Sequence, residues 1–212
     1  MHLSTEDFFL ILQTVNDDSN LVLSRTPNPY GLDVARHLIP FDGRPVIFKN
    51  MFHDEDKKAG IVHNYTNAHE ASCVPIFSRG IYKELRDLDY YATKFVPAVI
   101  RSIDEKYVEN YYAVNTFGSL DVLDFELSEF DPDVFDEDGN LILKKIKSEI
   151  TRVVFSQEKL SKINPKHLTI FRVEHFGDRV FVSREVKALI EKHPPLDIGF
   201  IQMSTWTPAA EM

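Results

Sequence analysis

His53, His63, His69 and Cys73 stand within one stretch of the chain, with Asp54, Glu55 and Asp56 beside them. Imidazole and thiolate are zinc ligands, and a Cys–His pair can supply a nucleophile. The spacing, H-x9-H-x5-H-x3-C, lacks the close ligand pairs of common structural zinc sites. A polar loop rich in histidine is the simpler reading, and Cys73 beside an apolar run reads as a small packing residue. No metal and no cofactor is assigned to these residues.

Two other stretches resemble chemical motifs and stop short of them. Ser156-Gln157-Glu158-Lys159 matches S-x-x-K, but the chain has neither S-D-N nor K-T-G to complete that machinery. Ser156 has a simpler use as a helix N-cap. Asp136-Glu137-Asp138-Gly139 suggests a calcium loop, yet placing Gly139 at loop position six puts Val134 at position one and Lys145 at position twelve. No phosphate-binding glycine loop and no G-x-S-x-G occurs. No catalytic set emerges.

The charge pattern is more specific. The net charge is −9, and residues 107–143 contain no Lys, Arg or His. That stretch carries Glu109, Asp121, Asp124, Glu126, Glu129, Asp131, Asp133, Asp136, Glu137 and Asp138, so the remainder of the chain is near neutral. Tyr, Phe, Leu and Val are interleaved throughout, which predicts a folded segment with its acids outward. Such a face either keeps the protein soluble or docks a basic partner, steering its approach. The candidate partner-binding residues are Asp124, Glu126, Asp131, Asp133, Asp136, Glu137 and Asp138. Direct binding of nucleic acid, which wants a basic face, is not expected.

The elements that hold these residues follow from composition and periodicity. Hydrophobic residues make up 43% of 212, enough for a proper core. The single cysteine excludes an internal disulfide framework and fits a reducing compartment. The N-terminal stretch MHLSTEDFFLILQTVNDD has no basic region before its short apolar patch, and no run approaches the roughly 20 apolar residues of a membrane span. A cytoplasmic protein without a membrane anchor is expected.

Residues 8–12 (FFLIL) read as a buried strand, with 21–23 as its hairpin partner after a turn at 16–20. Residues 46–48 form another apolar run after an Asp42-Gly43 turn, and residues 49–72 read as a long polar loop. Strands are expected at 74–77, 95–100, 111–117, 141–150, 152–155 and 198–203, with Pro97 at an edge or bulge. Residues 120–130 fit a short helical turn leading into a strand. Asp138-Gly139 is a hairpin turn, and Gly177-Asp178 is read as a two-residue turn joining 168–176 to 179–182. Residues 206–212 are expected to be a loose tail.

One phrase occurs twice. PIFSRGIYKEL at 75–85 and VFVSREVKALI at 180–190 are each an apolar run, a serine and a helix-like spacing. Ser78, Ser156 and Ser183 are placed to cap short helices, and Ile81 and Leu85 correspond to Val186 and Ile190. Chance recurrence and a degenerate duplication both explain the pattern. The fold class expected is α+β, with twisted, largely antiparallel sheets and a few short Ser-capped helices. The organisation is a β-rich region over 1–72 and an α+β region over 73–205, forming one compact unit with the tail.

The order of phrases over residues 74–203 resembles immunity-protein family eleven of bacterial polymorphic toxin systems. The residues that carry it are 75–78, 97–99, 111–115, 122–124, 170–172 and 182–187. The first third of the chain matches only loosely, Arg184 replaces a commoner acid, and DPDVFDEDGN is a local elaboration. The resemblance implies a non-enzymatic protein that binds and neutralises a cognate toxin acting in the cytoplasm. An acidic face would suit a toxin with a basic groove, such as a nuclease. A small enzyme or metal-binding protein using residues 53–73, and an adaptor with an acidic docking face, are the alternatives.

Overall fold

A computed structural model describes residues 3–14, 21–26, 33–40, 43–142 and 150–211. The expected turn at 16–20, Asp42 of the next turn and most of the expected strand at 141–150 lie outside the described residues. Two sheets carry the fold. The first has strand order β10-β11-β1-β12 (Ile170–Phe171, Phe181–Ser183, Phe8–Gln13, Ile198–Gln202). The second has order β2-β3-β6-β7-β5-β4 (Leu23–Arg25, Val46–Asn50, Thr93–Arg101, Tyr107–Thr116, Val74–Ser78, Ala68–Ala71). A third pair joins β8 (Glu129–Phe130) to β9 (Ile150–Arg152). Only β3 and β6 run parallel within these sheets. The α+β class is as expected.

The FFLIL run is continuous because β1 is buried on both faces. Phe8 and Leu10 enter an aromatic cluster with Phe155, Phe171, Phe176, Phe181 and Trp206. Phe9 and Ile11 face the opposite way, against Phe77, Ile81, Leu85, Val186 and Ile190. The strand's partners are β11 and β12, whereas β2 pairs with β3. The expected local hairpin between 8–12 and 21–23 is therefore replaced by pairing with the far end of the chain. Burial of both faces rewards that non-local pairing.

The repeated phrase has one architecture in both places. β5 leads into helix α2 (Arg79–Leu85) and β6, and β7 lies antiparallel between β5 and β6. β11 leads into helix α4 (Arg184–Ile190) and β12, and β1 lies antiparallel between those two. Ile81, Leu85, Val186 and Ile190 belong to one buried cluster, and the two helices touch. The caps differ. Ser183 Oγ accepts from Val186 N–H at 3.3 Å. Ser78 occupies the N-cap position without a side-chain bond, its buried hydroxyl lying in a site shared with Gly80 and the His193 ring. The cap expected at Ser78 is thus positional only.

Residues 49–72 correct the expectation of a long loop. They contain helix α1 (His53–Ala59) and β4. α1 has acids in its first turn, lysines in its last and Gly60 in the left-handed region at φ 70° as its stop. It buries no residue, so it has no apolar period to reveal it. β6 is an interior strand, but its pairing with β3 begins only at Ala98, so Pro97 has no ladder partner on that side. Opposite β6, Glu109 and Asn110 together face Val99, a bulge made with Asn110 at φ 70°.

β10 and β11 do pair, with Phe171 opposite Phe181, but residues 172–180 form an irregular connection where a two-residue turn was expected. Arg172 explains the excursion. Its half-buried guanidinium donates to Gly177 O at 3.1 Å and to the Ala35 carbonyl and the Asp178 carboxylate. Arg36 holds the other oxygen of Asp178 at 2.6 Å. The loop is thereby pinned to residues 33–40. The expected loose tail does not hold for Trp206, which is buried edge-on against Phe176 with ring centres 4.9 Å apart.

Candidate partner-binding surface

The acidic stretch leaves β7 and runs back along the aromatic core. Leu120 pairs with Val173, and Asp124 N–H bonds to Val154 O at 2.9 Å. Asp124 then builds a turn: its Oδ1 accepts from Glu126 N–H and Leu127 N–H, each at 3.1 Å. β8 follows and β9 returns beside it. Asp131 Oδ1 caps the 3₁₀ turn Pro132–Val134 through Asp133 N–H at 3.0 Å. Val134 is wholly buried and anchors the excursion. Phe135 pairs with Leu141 across the tight turn at 136–140, where Gly139 takes φ 80°.

The candidate residues therefore divide. Asp136 Oδ1 accepts from Asp138 N–H at 3.0 Å and Asn140 N–H at 2.7 Å. The Asn140 backbone bond, chiefly, holds its carboxyl below the usual range. Asp124, Asp131 and Asp136 thus organise backbone. Glu126, Glu137 and Asp138 are exposed and make no ion pair among the described residues, and Asp133 is exposed beside its cap. Residues 131–138 run from the 3₁₀ turn into the hairpin that Phe135 and Leu141 close. Asp124 and Glu126 sit on the turn before β8, and Arg152 of β9 ties that turn to β8, bonding both Glu129 Oε1 at 2.7 Å and Leu127 O at 3.0 Å.

Counter-charge absent along the stretch is supplied across space. Arg152 pairs with Glu129, and Lys159 Nζ reaches Asp121 at 2.7 Å. Sequence reasoning also passed over two apolar residues of this face. Leu127 is 58% exposed and Phe135 40%. An apolar residue placed among acids at a turn was the signal available for them.

The chemical motifs resolve into structure. Ser156 Oγ accepts from Lys159 N–H at 3.4 Å as the cap of helix α3 (Gln157–Ser161), while Lys159 Nζ turns away to Asp121 and the Leu123 carbonyl. The three histidines point into separate settings. His63 Nε2 lies 2.8 Å from Asp56 Oδ2, and Asn50, then His63, lower the proton affinity of Asp56. His69 Nε2 accepts from Thr66 N–H at 3.2 Å, and Nδ1 lies 3.0 Å from Asp197 Oδ2 but out of line for a hydrogen bond. His53 sits between Asp54 and Glu105. Among the described residues no three His, Cys, Asp or Glu side chains converge as a metal site. No described helix is long and apolar enough to cross a membrane.

The acidic stretch thus belongs to an α+β body with an aromatic core. The model of the Immunity protein family (Imm11) matches residues 24–205. The chain belongs to the Imm11 family. The match begins at Leu23's neighbour Ser24 in β2, well before the phrases at 74–203 that carry the resemblance in sequence. It takes in β2, β3, α1 and β4, so the sheet completed by those strands lies within the Imm11 region. No curated protein matches the chain. Imm11 membership supports an immunity role, with a cognate toxin as partner, and fits a protein that binds its target without turning it over.

Proposed function

We propose that this Imm11 chain neutralises a toxin acting in the cytoplasm by binding it through the acidic hairpin. The toxin presents a basic surface, as a nuclease does around its substrate groove. One observation carries the reading: Glu126 stands exposed next to Leu127, and Glu137 and Asp138 stand exposed close in the chain to Phe135, on turns that Arg152 and Asp136 brace. A partly apolar patch with a charged rim is how many protein interfaces are built. The rim charges speed encounter with a partner of opposite sign.

The test is co-expression with the product of the adjoining toxin gene, followed by association kinetics at low and high salt. Reversal is made at Glu126, Glu137 and Asp138, and spares Asp136 because its carboxylate builds the turn. The triple Lys variant should keep its fold and lose about tenfold or more in association rate at low salt, with a flatter salt dependence. Unchanged kinetics would reduce the acids to a solubility role.

A further inference from the structure

Against the turn at residues 124–127 lies a groove of about 530 Å³. Its floor is residues 152–156, gripped from two sides. Phe155 N–H donates to Thr5 Oγ1 at 2.9 Å, which fastens the N-terminal turn along one wall. Val154 N–H donates to Ser128 Oγ at 3.0 Å, and Val154 O accepts from Asp124 N–H, which fastens the acidic turn along the other. Glu6 belongs to the first wall, Asp124 and Leu127 to the second, and Glu158 closes the end at the start of α3. The one cation in the lining, Arg152, is held by Glu129 and the Leu127 carbonyl. Glu158 is matched by Lys162, whereas Glu6 and Asp124 meet no cation among the described residues.

We infer that this groove receives a lysine or arginine side chain carried on a loop of the toxin. Leu127 offers exposed apolar surface to the aliphatic stem, and Glu6 and Asp124 offer carboxylates to the charged head. The hydroxyls of Ser4 and Ser204 at the rim can accept further N–H bonds from the same head group. The occupant is basic because the uncompensated charge of the lining is negative, and it is a protein segment because one wall is the turn that carries Glu126 and Leu127 of the proposed docking surface. The inference rests on the immunity reading and adds a second, inserted contact to it. The two contacts differ in kinetics: rim charges act on association, while a desolvated charge pair acts on dissociation.

The experiment measures both rate constants for the complex with the adjoining gene's product. Variants are Glu6→Gln, and separately Ser204→Arg, which places a cation of this chain in the groove on the side of the N-terminal turn. Both positions are at the surface, and melting curves check that folding is kept. Dissociation should accelerate about tenfold or more in each variant, with the association rate and its salt slope much less affected. Dissociation unchanged in both variants, while the triple Lys hairpin variant is impaired, would overturn the groove and leave the hairpin standing. Failure of the wild-type chain to bind that product or to relieve its toxicity would remove the immunity reading, and the groove with it.

Discussion

Asn115 is wholly buried in β7, where a polar residue is expensive unless every bond is made. Its Oδ1 accepts from Ile39 N–H at 2.9 Å, and its Nδ2 donates to the Val34 and His37 carbonyls at 2.6 and 2.8 Å. One amide thus ties residues 33–40 to the sheet. Asn115→Ala would strand three backbone groups, and denaturant unfolding should show a loss of about 3 kcal/mol. Tyr111 is the comparable case for pH. Burial pushes its hydroxyl up to about 12, while the same group in the unfolded chain titrates near 10. The folded state keeps the proton longer, so stability is complete below about pH 10 and falls as pH rises toward 12. Tyr111→Phe should flatten that alkaline decline in melting temperature, at the cost of its 2.7 Å bond to Thr66 O.

At the scale of elements, the two strand–helix–strand units separate sequence pattern from local chemistry. Both place a serine before a seven-residue helix, and both bury the residues two turns of helix would predict. Only Ser183 closes its hydrogen bond. Ser183→Ala should cost about 1 kcal/mol by chemical denaturation, whereas Ser78→Ala should cost much less. Equal losses at the two serines would mean that the Ser78 hydroxyl has a role beyond its place in the backbone. The missed helix α1 belongs here as well. Its signals were end signals, the acids, the lysines and Gly60, and these are easily read as an ordinary polar loop when no apolar face accompanies them.

For the whole molecule, strands far apart in sequence close the first sheet. β1 lies between β11 and β12, and the last described segment returns Trp206 to the aromatic cluster around Phe8. Trp206→Ala should lower stability by about 3–5 kcal/mol, which a thermal melt would register, although it is only six residues from the end of the chain. The same closure makes the groove against the turn at residues 124–127, because the N-terminal turn is one of its walls. The two sheets also meet directly, through Asp197 N–H to Ala68 O and Asn67 N–H to Pro195 O, both at 2.9 Å.

The amino-acid sequence determined the fold class, most strands, the working caps at Ser156 and Ser183, and the location of the acid-rich segment. These depend on spacing along the chain, on period two or three to four, and on serine, glycine and proline chemistry that acts over a few residues. Tertiary structure alone decided which strand β1 chose, how Arg172 bent the expected hairpin, and that Trp206 is core. It also decided which acids are spent on turns, which are matched by Arg152 and Lys159, and which still face solvent. Those outcomes come from partners brought together across many residues, and charge or burial is settled by what lies nearby in space, which no local pattern records.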